Sequence, residues 1–414
     1  MSVGDTAQPQ MRGTGALAGL RVLDLSRVLA GPWATQTLGD LGAEIIKIER
    51  PGCGDDTRAW GPPEIEGAGY SAYFAGANRN KRSVTINLAK PAGQELVAAL
   101  ARTSDVFVEN FKVGAAARFG LDYATLNKAN PRLVYCSITG FGQSGPYASR
   151  AGYDAMIQGM GGLMSITGGP DTVPGGGPQK VGVAIVDLTT GLYAVIAILA
   201  ALQQRQRTTL GQHIDLALFD VSAAMLANQG MNFLATGVTP ERHGNAHPNI
   251  VPYQDFPTRD GWLMLAIGND QQFAQFCRFA GYPEWSEDPR FVTNRQRLAH
   301  REALIPILSA LTKARSTREW IEALEPLGVP CGPINDVAQV FSDPQARARG
   351  LRVDIPLDAL HAVPSIASPL RLSAAPAQYH LPPPALGAHT RDVLSEILAL
   401  SAAQLDALAE QGVI

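Results

Sequence analysis

The sequence predicts an α/β protein in which a doubly wound parallel sheet forms a large domain and a smaller α+β domain is inserted in it. Three observations carry this. Short apolar runs alternate with helical stretches from about residue 20 to about residue 141, the pattern of strands joined by crossover helices. From about Phe219 the pattern changes to a hairpin followed by helices. A content of 46% hydrophobic and 17% charged residues over 414 positions belongs to a folded chain with sizeable cores, long enough for two domains.

Taken in order, residues 1–15 are polar, contain glycine, lack an apolar targeting segment and read as a flexible tail. RVLDL is the first strand, 32–40 a helix opened by Gly31-Pro32, and EIIKIE the second strand, which together make a βαβ unit. SVTINL, a helix over 91–102, DVFVEN, a short helix near 114–119 and RLVYCSITGFG continue the alternation. No G-x-G-x-x-G follows the first strand, and GMGG at 159–162 has no strand of its own before it, so a dinucleotide fingerprint is absent. The most apolar stretch, 188–202, runs about 15 residues. That falls short of the roughly 20 that span a bilayer and reads as a buried helix. VPYQDF, a turn at 258–261 and WLMLAIG make the hairpin, and helices follow at 270–280, 300–314 and 317–327. The last opens on a capping box, Ser316 with Glu319. GVPCGPI at 328–334 reads as a return to strand, and 383–413 ends in an amphipathic helix. The domains expected are therefore 16–225 together with 328–414, and 226–327.

Lys and Arg number 34 against 37 Asp and Glu, so no basic field exists to hold nucleic acid or an anionic membrane, and neither partner is expected. Cys53, Cys136, Cys277 and Cys331 are scattered without C-x-x-C spacing. Neither a disulfide framework nor a metal site is expected, and the cytoplasm fits.

Asp187 is the one charged residue between Val181 and Leu202. It reads as the N-cap of the apolar helix that follows, or as a nucleophilic carboxylate kept poorly hydrated and oriented by that helix, and the two readings are compatible. Asp154 stands beside Tyr153 ahead of a glycine-rich segment that lets a ligand approach the backbone. The stretch 168–179 reads as a surface loop, because no Lys-Ser/Thr pair follows it. His243 and His247 have i, i+4 spacing, but Gly244 and Pro248 argue against a helix presenting both to a metal, and with Asn245 they read as a polar substrate loop. Arg79-Asn80-Lys81-Arg82 is either a solvated loop or a holder of phosphate or carboxylate.

Several segments in a consistent order, DLSRVLAGPWATQTLGDLGAEIIKIERPGCGDDTR, NRNKRSVTINL, VENF, SITGFGQSGP, AGYDAMIQG and GVAIVDLTTGLYAVIAILAAL, resemble the family III CoA-transferases, the group containing formyl-CoA transferase and carnitine CoA-transferase. AGYDA, RHGNAHPNIVPYQDFPTRDGW, GNDQQF, GVPCGPIN and PPPALGAHT place the nearest likeness in the succinyl-CoA:glutarate branch. The resemblance implies a Rossmann-like large domain, a smaller domain and an interlocked homodimer. It implies that Asp187 takes the acyl group, with Tyr153 and Asp154 as active-site neighbours. CoA-binding positions carry over to Val28, Leu29 and Ala30 in the first βα turn, Arg50, Asn110, Phe111, Lys112 and Arg118. Leu29 departs from the glutamine that formyl-CoA transferase has there.

The implied reaction moves CoA from an acyl-CoA such as succinyl-CoA to a free short dicarboxylic acid such as glutarate, with CoA as substrate and no bound metal or redox cofactor. Arg79 is the first candidate for the distal carboxylate, and His243, Asn245 and His247 are the second. An acyl-CoA racemase of the same fold would need an acid–base pair at the substrate's Cα, and its A-G-H-D motif has histidine where this chain has Tyr153. A CoA-binding protein without catalysis would have no need of Asp187.

Overall fold

The computed structural model describes residues 15–414. Six strands, β1 (Arg21–Asp24), β2 (Glu44–Glu49), β3 (Lys81–Thr85), β4 (Val106–Glu109), β5 (Val134–Thr139) and β6 (His213–Ala217), form one parallel sheet in the order β3-β2-β1-β4-β5-β6. Because the order reverses between β1 and β4, a crevice opens at their carboxyl ends, the place where sheets of this kind receive ligands. The strand period of two sorts the core into two layers. Val22, Val106, Val108, Val134 and Cys136 face the helices Ala30–Asp40 and Ile185–Thr208. Leu23, Phe107 and Tyr135 face Pro91–Arg102, Thr390–Leu398 and Ala402–Glu410.

The Ile185–Thr208 helix has 24 residues, longer than expected, and by length and composition alone it could cross a bilayer. Val186, Ala194, Ile198 and Ala201 nevertheless sit in the core beside the sheet. Among the strands, two features were not foreseen. One is β6, and the other is the antiparallel pair β10 (Arg352–Pro356) and β11 (Ala362–Ile366). Of the tail expected at 1–15, residues 1–14 lie outside the described residues. Gly15 packs against Leu41, whose carbonyl oxygen would lie 2.3 Å from a Cβ added there.

The chain separates into two units whose borders differ from those expected. The larger runs to Gly162 and includes Val181–Gly230 and Gln345–Ile414, while the smaller holds Leu163–Lys180 and Met231–Pro344. Two pairings explain the shift. GVPCGPI does return to strand, but as β9 (Cys331–Pro333), antiparallel to β8 (Trp262–Ala266), itself antiparallel to β7 (Tyr253–Pro257). It therefore belongs to the smaller unit. The 168–179 loop joins that unit too, since Gly168 accepts the Gly244 N–H at 3.1 Å and Ser165 accepts from Arg242. Phe256, Leu263, Phe273, Phe276 and Trp320 fill this unit's own core, and the Ser316 capping box opens the Thr317–Leu324 helix as expected.

The basic run at 79–82 is neither a solvated loop nor an open anion site. Arg79 is 5% exposed. Its Nε and Nη2 hold the two oxygens of Asp40 at 2.9 and 2.6 Å, and its Nη1 donates to Ser365 and to the Ile366 carbonyl. Lys81 is fully buried on Asp24, and Arg82 bridges Glu44 and Glu396. The expectation that Arg79 holds a substrate carboxylate is thereby corrected, because four of its five N–H donors tie the first helix to β11. Breaking a buried pair of this kind by removing one partner typically costs about 3–5 kcal/mol.

Candidate active site

β1 ends at the crevice in a turn whose every residue is tied down. Asp24, fully buried, accepts bonds from the N–H and hydroxyl of Ser26, from the Thr35 hydroxyl at 2.6 Å and from Lys81 at 3.1 Å. Gly31 lets the next helix start hard against Ser26, whose Oγ would lie 2.2 Å from any Cβ there. Val28 has φ +70°, a left-handed conformation that a β-branched residue adopts at a cost of about 1–3 kcal/mol. Asn110, just beyond β4, closes the turn from the other side. Its Oδ1 accepts the Arg27 N–H at 2.9 Å and its Nδ2 donates to the Arg27 carbonyl at 2.7 Å.

Asp187 reaches the same place along the Ile185–Thr208 helix. Gly191 brings that helix against the first turn of Ala30–Asp40, since a Cβ on it would fall 2.7 Å from the Ala30 carbonyl oxygen. The residue at the N-cap is Ala184, which offers no side-chain bond. Asp154 does the capping instead, its Oδ1 accepting the N–H of Val186 at 2.8 Å and of Asp187 at 3.2 Å. Its Oδ2 accepts from Gln158 at 2.6 Å, and Gln158 in turn accepts the Val181 N–H. The N-cap reading of Asp187 is thus corrected. Asp187 is the third helical residue, and its carboxylate makes no hydrogen bond among the described residues. Asp154 is itself placed by a contact between glycines, where a Cβ on Gly152 would lie 2.3 Å from the Gly140 Cα.

Burial first, and the Asp154 charge second, push the Asp187 carboxyl up to about 7. A helix N-terminus favours an anion by only about 0.3–1 kcal/mol, and here it is the weaker influence. The result is a poorly solvated carboxyl group that is about half ionised at neutrality and becomes a carboxylate above it. Tyr73, missed in the sequence, lies within the field of the site. Burial, then Asp187, Asp154 and Asp55, raise its phenol, so it remains a hydrogen-bond donor. Burial pushes the Cys136 thiol far above the ordinary range, which leaves it inert.

One cavity of about 180 Å³ brings together Val28, Leu29, Ala30, Asn110, Phe111, Lys112, Tyr153 and Asp187. A second, of about 480 Å³, is lined by Arg50 and Cys53 and shares Arg27, Asp56 and Phe111 with the first. The side chain of Asn110 gives one N–H and one oxygen lone pair to the turn, which leaves a second N–H and a second lone pair for a ligand. Arg118 ends the short helix Ala115–Arg118, exposed and lining neither cavity. His243, Asn245 and His247 belong to the smaller unit. Burial first and Arg301 second hold both imidazoles below their ordinary pKa. Arg27, Asp56 and Arg150 also line the Asp187 cavity and were not singled out in the sequence, although the first two lie inside DLSRVLAGP and GDDTR. Among the described residues no cluster of three or more His, Cys, Asp or Glu is arranged to hold a metal.

Residues 17–390 match the model of CoA-transferase family III. The chain is 51% identical to the succinate–glutarate CoA-transferase of Agrobacterium fabrum over 92% of its own length and 95% of that protein. It is 42% identical to the succinyl-CoA:glutarate CoA-transferase of Homo sapiens over 99% and 92% of the respective lengths. A crystal structure of a CAIB/BAIF family protein from Brucella suis superposes with a TM-score of 0.82 at 50% identity, covering 92% of this chain and 99% of that one.

If the Asp154 charge contributes to the high pKa of Asp187, Asp154→Asn should lower it from about 7 towards, but not into, the ordinary carboxylate range, because burial persists. The asparagine oxygen still accepts the Val186 N–H, so the helix start survives. Carboxyl ¹³C NMR titration of Asp187 reads this directly, and an unmoved midpoint would assign the whole effect to burial.

Proposed function

The chain belongs to CoA-transferase family III, and from that premise we propose that it moves CoA from succinyl-CoA to glutarate or a comparable short dicarboxylate, with Asp187 carrying the exchange. The observation that supports this most is the poorly solvated Asp187 carboxylate, ionising near neutrality in the same cavity as the first βα turn. An Oδ of Asp187 attacks the thioester carbonyl, the C–S bond breaks, and a mixed anhydride and CoA thiolate result. The thiolate then attacks the aspartyl carbonyl, which releases succinate and leaves CoA as a thioester on Asp187. A glutarate carboxylate attacks that thioester and expels the thiolate, which next attacks the glutaryl carbonyl. Glutaryl-CoA departs, and the Asp187 carboxylate is restored. No step exchanges electrons with a cofactor, and the thioester bond energy is kept throughout.

The protein's part is to hold the thiolate and the acyl group together between steps, which replaces a bimolecular encounter with a positioned one. The backbone of Val28, Leu29 and Ala30, together with Phe111, Lys112 and Arg50, is the proposed CoA contact, with Arg118 as an outlying phosphate ligand. Tyr73 and Tyr153 are the proposed donors facing the reacting carbonyl. With Arg79 engaged by Asp40, His243, Asn245 and His247 of the smaller unit are kept as the proposed residues for recognising the acceptor's far carboxylate. Positive charge there comes from Arg301, which donates to the His247 carbonyl oxygen. The thiols, all free, fit a reducing cytoplasm. An interlocked homodimer is also proposed. Leu192, Tyr193 and Ile196 are exposed on one side of the Asp187 helix, a patch that association would cover.

Asp187→Asn should lower turnover by on the order of 10⁴-fold or more while CoA binding persists. In the wild type, succinyl-CoA followed by hydroxylamine should leave a hydroxamate on residue 187, detected by peptide mass spectrometry, and modification of Cys53 instead would move the nucleophile. Replacing His243 and His247 together by alanine is expected to raise the KM for glutarate by about tenfold and to spare a monocarboxylic acceptor, since only the former loses a bond to its far end. Equal changes would remove the loop from acceptor recognition. Sedimentation equilibrium should give twice the 43.9 kDa chain mass, and a monomer would contradict the assembly.

A further inference from the structure

Beneath the first βα turn lies an ion pair that the transfer chemistry does not itself use. Lys47, on β2, and Asp55, in the connection after β2, meet at 3.0 Å, and both side chains are 0% exposed. Each also grips the turn. The Lys47 ammonium donates to the Ser26 carbonyl at 2.9 Å, and the Asp55 carboxylate accepts the Val28 N–H on both oxygens, at 3.3 Å each. The pair therefore holds the turn on either side of Arg27, whose own backbone is held by Asn110. Asp55 is fixed in turn by the Thr57 N–H and hydroxyl at 3.0 and 2.8 Å, and its own N–H is bound by Glu49. Its neighbour Asp56 adds an exposed pair to Arg27.

Val28 needs such a grip. Its φ of +70° disfavours a β-branched side chain, so a free turn would relax to an extended backbone and swing the amides that follow away from the Asp187 cavity. A forked bond from a charged acceptor to the N–H of that same residue opposes the relaxation. Burial alone would raise the Asp55 carboxyl, but Lys47 and Thr57 outweigh it and hold it below the usual carboxylate range. The grip is accordingly present across the neutral range.

We propose that Lys47 and Asp55 are positioning residues for the acyl-CoA ester, clamping Ser26 and Val28 so that the first βα turn is already in its binding conformation before the ester arrives. The inference rests on the reading of the Asp187 cavity as the acyl-CoA site. It adds to that reading a reason why the turn can be strained, since the strain is held by a charge pair and not by the ligand.

Asp55→Asn tests it, because the amide keeps the volume and the Thr57 contacts but loses the charge and one acceptor oxygen. CoA affinity by calorimetry should weaken tenfold or more and the KM for succinyl-CoA should rise in parallel, while the KM for glutarate stays unchanged. Adding Val28→Gly to Asp55→Asn should recover a large part of the loss, because glycine takes positive φ without strain and no longer needs the clamp. A pair that served stability alone would lower the thermal midpoint and the active fraction, leave the KM of the remaining enzyme intact and gain nothing from the glycine. That outcome overturns the proposal. Should Asp55→Asn fail to accumulate as folded protein, Asp55→Glu keeps the charge but displaces the oxygens from the Val28 N–H, and the same tenfold weakening is expected. Wild-type protein that binds no CoA would refute the cavity assignment, whereas normal wild-type binding with an unchanged Asp55 variant refutes the clamp.

Discussion

Charge taken out of water has to be met by opposite charge or by hydrogen bonds, and the crevice end of this sheet is organised around that constraint. Asp24, Lys47 and Lys81 are fully buried there and Asp55 all but so, two acids and two bases within a few residues of the strand ends. Burial, partly offset by Asp24, brings Lys81 down to about 8. Satisfying these groups consumes the carbonyls of Ser26 and Pro32, the side chains of Thr35, Asn78 and Thr57 and the N–H of Val28. Electrostatic satisfaction and backbone geometry are consequently one problem. The turn cannot move without uncovering a charge.

At Asp187 the opposite policy holds. Its neighbour Asp154 spends both oxygens on the helix start and on Gln158, and the described residues give the Asp187 oxygens no partner. A carboxylate that is largely desolvated, unpaired and beside another acid is a better nucleophile than one bound to arginine, because less must be undone before it attacks. Arg79 illustrates the contrast. Its bidentate hold on Asp40 makes a firm joint and removes both groups from chemistry.

What was legible in the sequence was local. RVLDL, EIIKIE, the 91–102 helix, the 253–266 hairpin and the Ser316 cap each follow from period, turn residues or capping within a dozen positions. Motif order across the chain identified the family, and Asp187 stood out because nothing near it in sequence is charged. The misses depend on distant partners. β6 is a short edge strand whose alternate residues face outward, so HIDLA carries no apolar run. The β10–β11 pair contains prolines that argue against strand. GVPCGPI announced a strand without announcing which sheet it would join. Asp154 caps a helix that begins 31 residues further on, and Arg79 meets an aspartate 39 residues back, so neither assignment could be made from neighbours alone.

The Ile185–Thr208 helix also has a mechanical meaning. Asp187 stands in its first turn, and the exposed Leu192, Tyr193 and Ile196 follow within nine residues, about 14 Å at 1.5 Å per residue. Gly191, pressed on Ala30, lies between them. The segment from Asp187 to Ile196 is therefore a short rigid bar with Gly191 near its middle, the Asp187 carboxylate at one end and an uncovered apolar grip at the other. A tilt imposed on the grip is delivered to the carboxylate without an intervening hinge to absorb it.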